Sequence, residues 1–289
     1  MSRAKKLLRQ PAAALLPKDN SCPAHQVKCI IAYDGTDYNG FQAQGKEGTI
    51  TLQEAIEDAI FRTTGEAVRI RACSRTDRGV HARGQVIVFD TLCTADAEKL
   101  RDAVNSRLDD AIACLQVVPL SISSDRMDPR KLSIGKEYEY RIVSGGVRPV
   151  HERFQVWFVR QLVDIKSMKQ AAQLLFHREK RDYASFSGER DDAKEGTDTF
   201  CTLHALDITM DQPRQEVMNH GQQSCIRIRM SGDRFLYKMV RNIVGTLVDV
   251  GLGKIDALSI PDILLARDRR QAGQGAPAKG LTLVRVYFS

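Results

Sequence analysis

Asp77 stands between two arginines in the run Cys73-Ser74-Arg75-Thr76-Asp77-Arg78-Gly79-Val80-His81-Ala82. A carboxylate in that setting can act as a nucleophile or a general base. The flanking cations suit a polyanionic substrate. Gly79 permits a backbone angle that other residues resist, so the run can turn sharply. An aspartate bonded only to its own turn would have the same residue types around it, and the run by itself leaves both readings open. Two basic clusters could track a polyanion: Arg126, Arg130 and Lys131, and Arg178, Lys180 and Arg181. Each also fits a solvated charged face. The stretch Gly275 to Gly280 resembles a phosphate loop only superficially, since it lacks GxxxxGK[ST] spacing.

These residues need a scaffold, and the chain is long enough to supply one. Its 289 residues are 43% hydrophobic and 27% charged, sufficient for a substantial core and about two domains. Lys and Arg outnumber Asp and Glu by 43 to 36, for a formal charge of +7 and a pI near 9.1. That mild excess is compatible with a nucleic-acid partner. No run of 18 apolar residues occurs, so no membrane partner is expected. The seven cysteines are odd in number, and no two have CxxC spacing. Neither a zinc site nor a disulfide framework is indicated, and a reducing compartment is the default. Residues 1–26 form a basic N-terminal arm, with no acid before Asp19. A flexible arm and an organelle transit peptide are the two readings of it.

Strands are expected at Val27–Tyr33, Val68–Ala72, Val86–Phe89 and Ile112–Val118. Thr51-Leu52-Gln53-Glu54 matches a capping box, and the helix behind it is stopped by Gly65. A second helix is expected from Ala95 to Leu108. This order suggests an α+β sandwich with helices on one sheet face. A similar order recurs: strands at Glu137–Val143, Gln155–Val159, Thr202–Met210, Ser224–Met230 and Leu281–Phe288, and helices from Asp164, over Phe235–Val250 and from Ser259. The domains are drawn at 27–125 and 126–289. Residues 187–197 read as a charged loop.

Several motifs, in order, resemble the TruA-type tRNA pseudouridine synthases. The Asp77 run matches the family pattern Gly-Arg-Thr-Asp-x-Gly-Val-His-Ala, with Ser74 in the first place. Tyr33 to Gln44 is similar to the family's opening motif, with Phe41 where Trp is usual. Lys136-Glu137-Tyr138-Glu139-Tyr140, Asp182-Tyr183-Ala184-Ser185-Phe186, Met239 to Gly245 and Lys279-Gly280-Leu281 match further segments. The resemblance covers about residues 27–288.

The resemblance implies two RRM-like, ferredoxin-like lobes with antiparallel sheets, helices on one face and an active-site cleft between them. It implies isomerisation of uridine to pseudouridine in the tRNA anticodon stem-loop, around positions 38 to 40. No metal or redox cofactor is implied. Asp77 would attack C6 of the base or C1′ of the sugar, and Arg241 would pair with it and keep it ionised. Tyr138 would stack on the base and assist proton removal from C5, while core packing is the ordinary role of a strand tyrosine and suits Tyr140. Arg75 would help flip the base. Arg78, Arg130 and Lys238 would contact the RNA backbone, and His81 would hold the loop. The expected partners are tRNA and a second copy of the chain, in the cytoplasm or, alternatively, a mitochondrion or plastid. Other readings are a catalytically idle RNA chaperone or ribonucleoprotein subunit of the same fold, and a synthase acting on ribosomal RNA.

Overall fold

The computed structural model describes residues 24–45, 48–120, 128–188, 198–211 and 223–288. Residues 1–23 of the expected arm, Arg126, and residues 189–197 of the charged loop lie outside the described residues. In chain order the elements are β1 (His25–Tyr33), α1 (Leu52–Thr64), β2 (Arg71–Ala72), β3 (His81–Thr91), α2 (Ala97–Asn105), β4 (Ile112–Pro119), α3 (Pro129–Leu132) and β5 (Ser133–Gly145). They continue with β6 (Trp157–Val159), α4 (Ile165–Leu175), β7 (Arg181–Asp182), β8 (Phe200–Cys201), β9 (Leu203–Asp211), β10 (Gln223–Gly232), α5 (Met239–Gly251), α6 (Ile260–Ala266) and β11 (Leu281–Phe288). The fold is mixed, with mostly antiparallel strands; β5 with β6 is a parallel pair. Two compact units emerge, one ending at Ile134 and taking in Leu283 onward, the other spanning Gly135–Thr282.

In the first unit β1 lies between β4 and β3, with β11 on the far side of β3. Residues of β1 alternate in burial, and Cys29 sits opposite both Ile87 of β3 and Val117 of β4. Ile56 and Ile60 of α1 and Leu100 and Val104 of α2 close over that face. Each such aliphatic side chain contributes about 1.5–3 kcal/mol by leaving water. The capping box forms as expected: the Glu54 amide donates to Thr51 Oγ1, and the Thr51 amide donates to Glu54 Oε2 at 3.0 Å. Gly65 ends α1 at φ 69°.

The second unit pairs β5 with β10 and β10 with β9, all antiparallel. Helices α4 and α5 pack together with Met168, Leu175, Ile243, Val244 and Leu247 fully buried. Their contact is close because Gly251 has no side chain; a Cβ there would lie 2.8 Å from Met168 Cγ.

Several boundaries differ from the sequence expectation: α2 is Ala97–Asn105 where Ala95–Leu108 is expected, β6 starts at Trp157 rather than Gln155, and β5 and β10 extend beyond the expected strands at both ends. β1 takes in His25 and Gln26. The strand expected over Val68–Ala72 shortens to two residues, because the Ile70 amide donates to the Glu57 carboxylate rather than to a neighbouring strand. β3 runs back to His81, so the Asp77 loop is shorter than residues 73–84. Helix α5 begins at Met239 rather than Phe235, because Lys238 adopts the left-handed conformation at φ 57°.

Candidate active site

The Asp77 loop joins β2 to β3 and is held from three sides. The first hold is Gln85, a fully buried side chain on β3. Its Oε1 accepts from the Ser74 amide at 3.2 Å, and its Nε2 donates to the Ser74 carbonyl at 2.7 Å. One side-chain amide thus stands in for a missing ladder partner, satisfying both backbone groups of Ser74. Ser74 is not among the positive-φ residues, so the departure from glycine at this place costs no backbone strain. The second hold is a hydroxyl pair, Tyr33 Oη with Thr76 Oγ1 at 2.8 Å, with both residues buried.

The third hold comes from the start of α1. The amides of Leu52 and Gln53 donate to the carbonyls of Gly40 and Phe41, and the Phe41 amide donates to the Thr76 carbonyl at 3.0 Å. Helix α1 therefore fixes the residue next to Asp77 through only one intervening segment. Gly40 is required there: its φ is +87°, and a Cβ would lie 3.0 Å from the Thr76 oxygen. Phe41, in the place of the family tryptophan, is buried and tilts against Tyr33 at 6.1 Å.

Between these holds the chain turns back, with the Val80 amide donating to the Asp77 carbonyl at 3.1 Å and Gly79 at φ 77°. That is the geometry of a turn whose third residue must tolerate positive φ. The outcome is a buried Thr76, a partly exposed Asp77, and exposed Arg75 and Arg78 on either side.

His81 opens β3 and is buried. Its Nδ1 lies 3.2 Å from the Gly35 amide and 3.1 Å from Asp34 Oδ1. One nitrogen cannot both accept and donate: a ring with Nδ1 bare accepts from Gly35, and a ring with the proton on Nδ1 donates to Asp34. Hydrogen bonds from His81 and then from the Thr36 hydroxyl and amide hold the Asp34 carboxyl well below the usual carboxylate range, against an opposing effect of burial. Arg130 is exposed on α3, in a bidentate pair with Asp128. The preceding Pro129 accepts from Cys73 Sγ, which ties α3 to the start of the Asp77 loop.

Tyr138, Lys238 and Arg241 belong to the second unit. Tyr138 is buried on β5, edge-on to Phe235 at 5.2 Å and 86°. Tyr140, on the same face, is fully buried, and its hydroxyl donates to the Pro277 carbonyl at 2.6 Å. Burial pushes the Tyr140 phenol well up. It is a packing residue, as expected.

Arg241 lies in the first turn of α5 and is clasped by Ala276. Arg241 Nε donates to the Ala276 carbonyl at 2.8 Å, and the Ala276 amide donates back to the Arg241 carbonyl at 3.0 Å. The rest of the 269–276 segment is laid along α5 by polar residues spaced at helical intervals. Asn242 Oδ1 accepts from Arg269, Thr246 Oγ1 accepts from the Gly273 amide, and Asp249 accepts from the Gln274 amide. Gly245 permits the approach, since a Cβ there would lie 1.6 Å from the Gln274 carbonyl oxygen.

An open groove of about 720 Å³ runs along this segment, lined by Lys238, Arg241, Arg269, Arg270 and Gly273 to Gly275 among others, with no carboxylate among its described lining residues. It suits an anion. The Asp182–Phe186 motif supports it from behind: Ser185 donates to the Ile263 carbonyl, and the Phe186 carbonyl accepts from Asn242 Nδ2.

Arg75, Asp77, Arg78, His81 and Arg130 thus fall in the first unit, and Tyr138, Lys238 and Arg241 in the second. The supports Gln85, Phe235, Asn242 and Ala276 were not legible in the sequence, because each acts through a contact with a residue distant in the chain. Among the described residues no group of His, Cys, Asp and Glu is placed to hold a metal, and no helix is long and apolar enough to cross a membrane.

The family model described as tRNA pseudouridine synthase matches residues 29–122 and 180–289. The chain is 38% identical over 264 residues to "tRNA pseudouridine synthase A" of Brevibacillus brevis, covering 91% of this chain and 99% of that relative. It is 34% identical over 265 residues to the protein of the same name from Bacillus subtilis, covering 91% and 99%. It is 36% identical over 258 residues to that of Mesorhizobium japonicum, covering 89% and 97%.

Proposed function

Since this chain belongs to the tRNA pseudouridine synthase family, we propose that it isomerises uridine to pseudouridine in tRNA with Asp77 as its nucleophile. The observation that carries the assignment of Asp77 is its placement: a carboxylate left partly exposed on a loop whose neighbours are fixed by buried bonds. A nucleophile needs both access and a fixed position.

In the proposed reaction the Asp77 carboxylate attacks C6 of the base or C1′ of the sugar. The N1–C1′ bond breaks, the base rotates, C5 bonds to C1′, and the bond to Asp77 breaks to release the free carboxylate. C5 then loses its proton and N1 gains one, so the reaction needs no net oxidant or reductant. Arg241 supplies the countercharge for the carboxylate. Tyr138 offers its ring to the flipped base and its phenol to the C5 proton. Arg75 assists flipping, which costs a few kcal/mol. Arg78, Arg130 and Lys238 contact phosphates, and His81 holds the loop.

We further infer that the two units are RRM-like lobes, that the target lies at positions 38 to 40 of the anticodon arm, and that the chain works as a homodimer. The cysteine pattern favours a reducing compartment, and we place the protein in the cytoplasm. Pseudouridine mapping of unmodified tRNA treated with the purified protein tests the target. New pseudouridines confined to the anticodon arm are expected; modification only elsewhere would overturn the site, and none at all the reaction.

A further inference from the structure

We propose that the face around Phe200 is a second RNA-binding site, which stacks one unpaired nucleobase of the substrate other than the reacting uridine and holds its flanking phosphates. The inference rests on the reading that the substrate is RNA.

The first observation is the orientation of Phe200. It stands in β8 beside Cys201, and Cys201 and Leu203 are fully buried. Side chains alternate along a strand, so Phe200 turns to the opposite face, where it keeps 40% of its surface exposed. The ladder is only two residues long, Arg181 opposite Cys201 and Asp182 opposite Phe200.

The second observation is what surrounds that ring. Lys180 Nζ and the Arg267 guanidinium carbon each lie 6.0 Å from its centre. They come from segments far apart in the sequence, with Arg234 from a third. The acids present hold these cations in place. Asp198 pairs with Lys180 at 3.7 Å and Arg234 at 3.0 Å, and Asp182 pairs with Arg267 at 2.8 Å. Asp233 turns to the amides of Thr202 and Arg234. The cations are about half exposed or more. The two Asp198 pairs are exposed on both sides and worth roughly 0–1 kcal/mol, so a phosphate can take over Lys180 or Arg234 at little cost. An exposed ring among cations is the arrangement that binds a single-stranded base by stacking and its backbone by charge.

The third observation is strain. Among the described residues two non-glycine residues have positive φ, Lys238 at 57° and Arg267 at 51°. Arg267 is the C-cap of α6, a position where glycine is usual. A favourable helix dipole accounts for a cation there, but not for a side chain that resists the left-handed conformation. The strained backbone carries the guanidinium to the Asp182 carboxylate and within reach of Phe200.

The test is equilibrium binding and steady-state kinetics on one tRNA transcript with Phe200→Ala, Phe200→Leu and Phe200→Trp. The alanine and leucine variants are expected to raise Kd and KM by roughly five- to a hundredfold, the loss falling on KM rather than kcat. The tryptophan variant, which restores a stacking face, should bind within about twofold of the parent. Lys180→Gln should reduce the slope of log Kd against log salt by about 1. Leucine separates stacking from simple apolar cover, and both Phe200 and Lys180 are exposed enough for their replacement to leave folding intact. Alanine and leucine variants with parental Kd and KM would overturn the proposal while leaving the reaction assignment standing. A parent protein that leaves every tRNA uridine unchanged would overturn that assignment instead, and this inference with it.

Discussion

Replacing Gln85 by leucine removes the buried amide that holds the Asp77 loop while keeping similar volume. Two backbone groups of Ser74 lose their partner, the amide at 3.2 Å and the carbonyl at 2.7 Å, and Tyr33 Oη loses a 3.4 Å contact. Gln85 is fully buried, so water cannot replace it without opening the loop. An unsatisfied buried polar group costs about 1–3 kcal/mol, and two cost about 2–6. At roughly 2–4 °C per kcal/mol for a chain of this class, the melting midpoint should fall by at least about 4 °C. The loop can relieve that cost by moving. A displacement of a reacting group by about 1 Å can lower turnover about a hundredfold. Calorimetry and single-turnover pseudouridine formation read the two effects separately. Gln85→Glu is a useful companion, since it keeps the acceptor for the Ser74 amide and loses the donor to its carbonyl. A Gln85→Leu protein with the parental midpoint and turnover would refute the claim that this side chain positions Asp77.

Three other perturbations probe different parts of the molecule. Gly245→Ala would place a Cβ 1.6 Å from the Gln274 carbonyl oxygen, forcing α5 and the 269–276 segment apart and loosening the clasp on Arg241; a loss of at least about 1–3 kcal/mol in denaturant unfolding is expected, with turnover falling, and parental values would contradict it. Tyr138→Phe keeps the ring beside Phe235 but removes the phenol, so kcat should drop about 10²- to 10⁴-fold with tRNA affinity held; undiminished kcat would rule out a proton-transfer role. Asp34 has its folded pKa held well below the ordinary value by His81 and Thr36, so its contribution to stability is complete above about pH 4 and is lost as the pH falls toward the folded pKa. Asp34→Asn should therefore destabilise the protein near neutrality and flatten the acid limb of a plot of melting midpoint against pH; parallel curves would show that the pairing contributes nothing.

Local signals in the sequence carried much of the fold. The capping box at Thr51, the stop at Gly65, the Asp164 cap and the alternation of β1 are each decided by a few adjacent residues, and all are present. Where expectation and structure part, a distant residue intervenes. Glu57 takes the Ile70 amide from a would-be strand, and Lys238 adopts a conformation that no propensity favours for lysine. The site divides in the same way. The Asp77 run and the Arg241 helix can be read as motifs because their residues are contiguous. Gln85 looks like any polar residue in a strand, and Gly40 like any loop glycine, until the Ser74 and Thr76 backbones are set beside them. The Ser74 departure, which in sequence leaves the loop's hold open to question, carries no positive φ and is secured by Gln85.

The assignment of Asp77 is tested most directly by Asp77→Asn, assayed on tRNA for binding and for pseudouridine in parallel. Asparagine keeps size and polarity but is not a competent nucleophile. Parental tRNA affinity with no pseudouridine formed is the expected result. Turnover at the parental rate would contradict it.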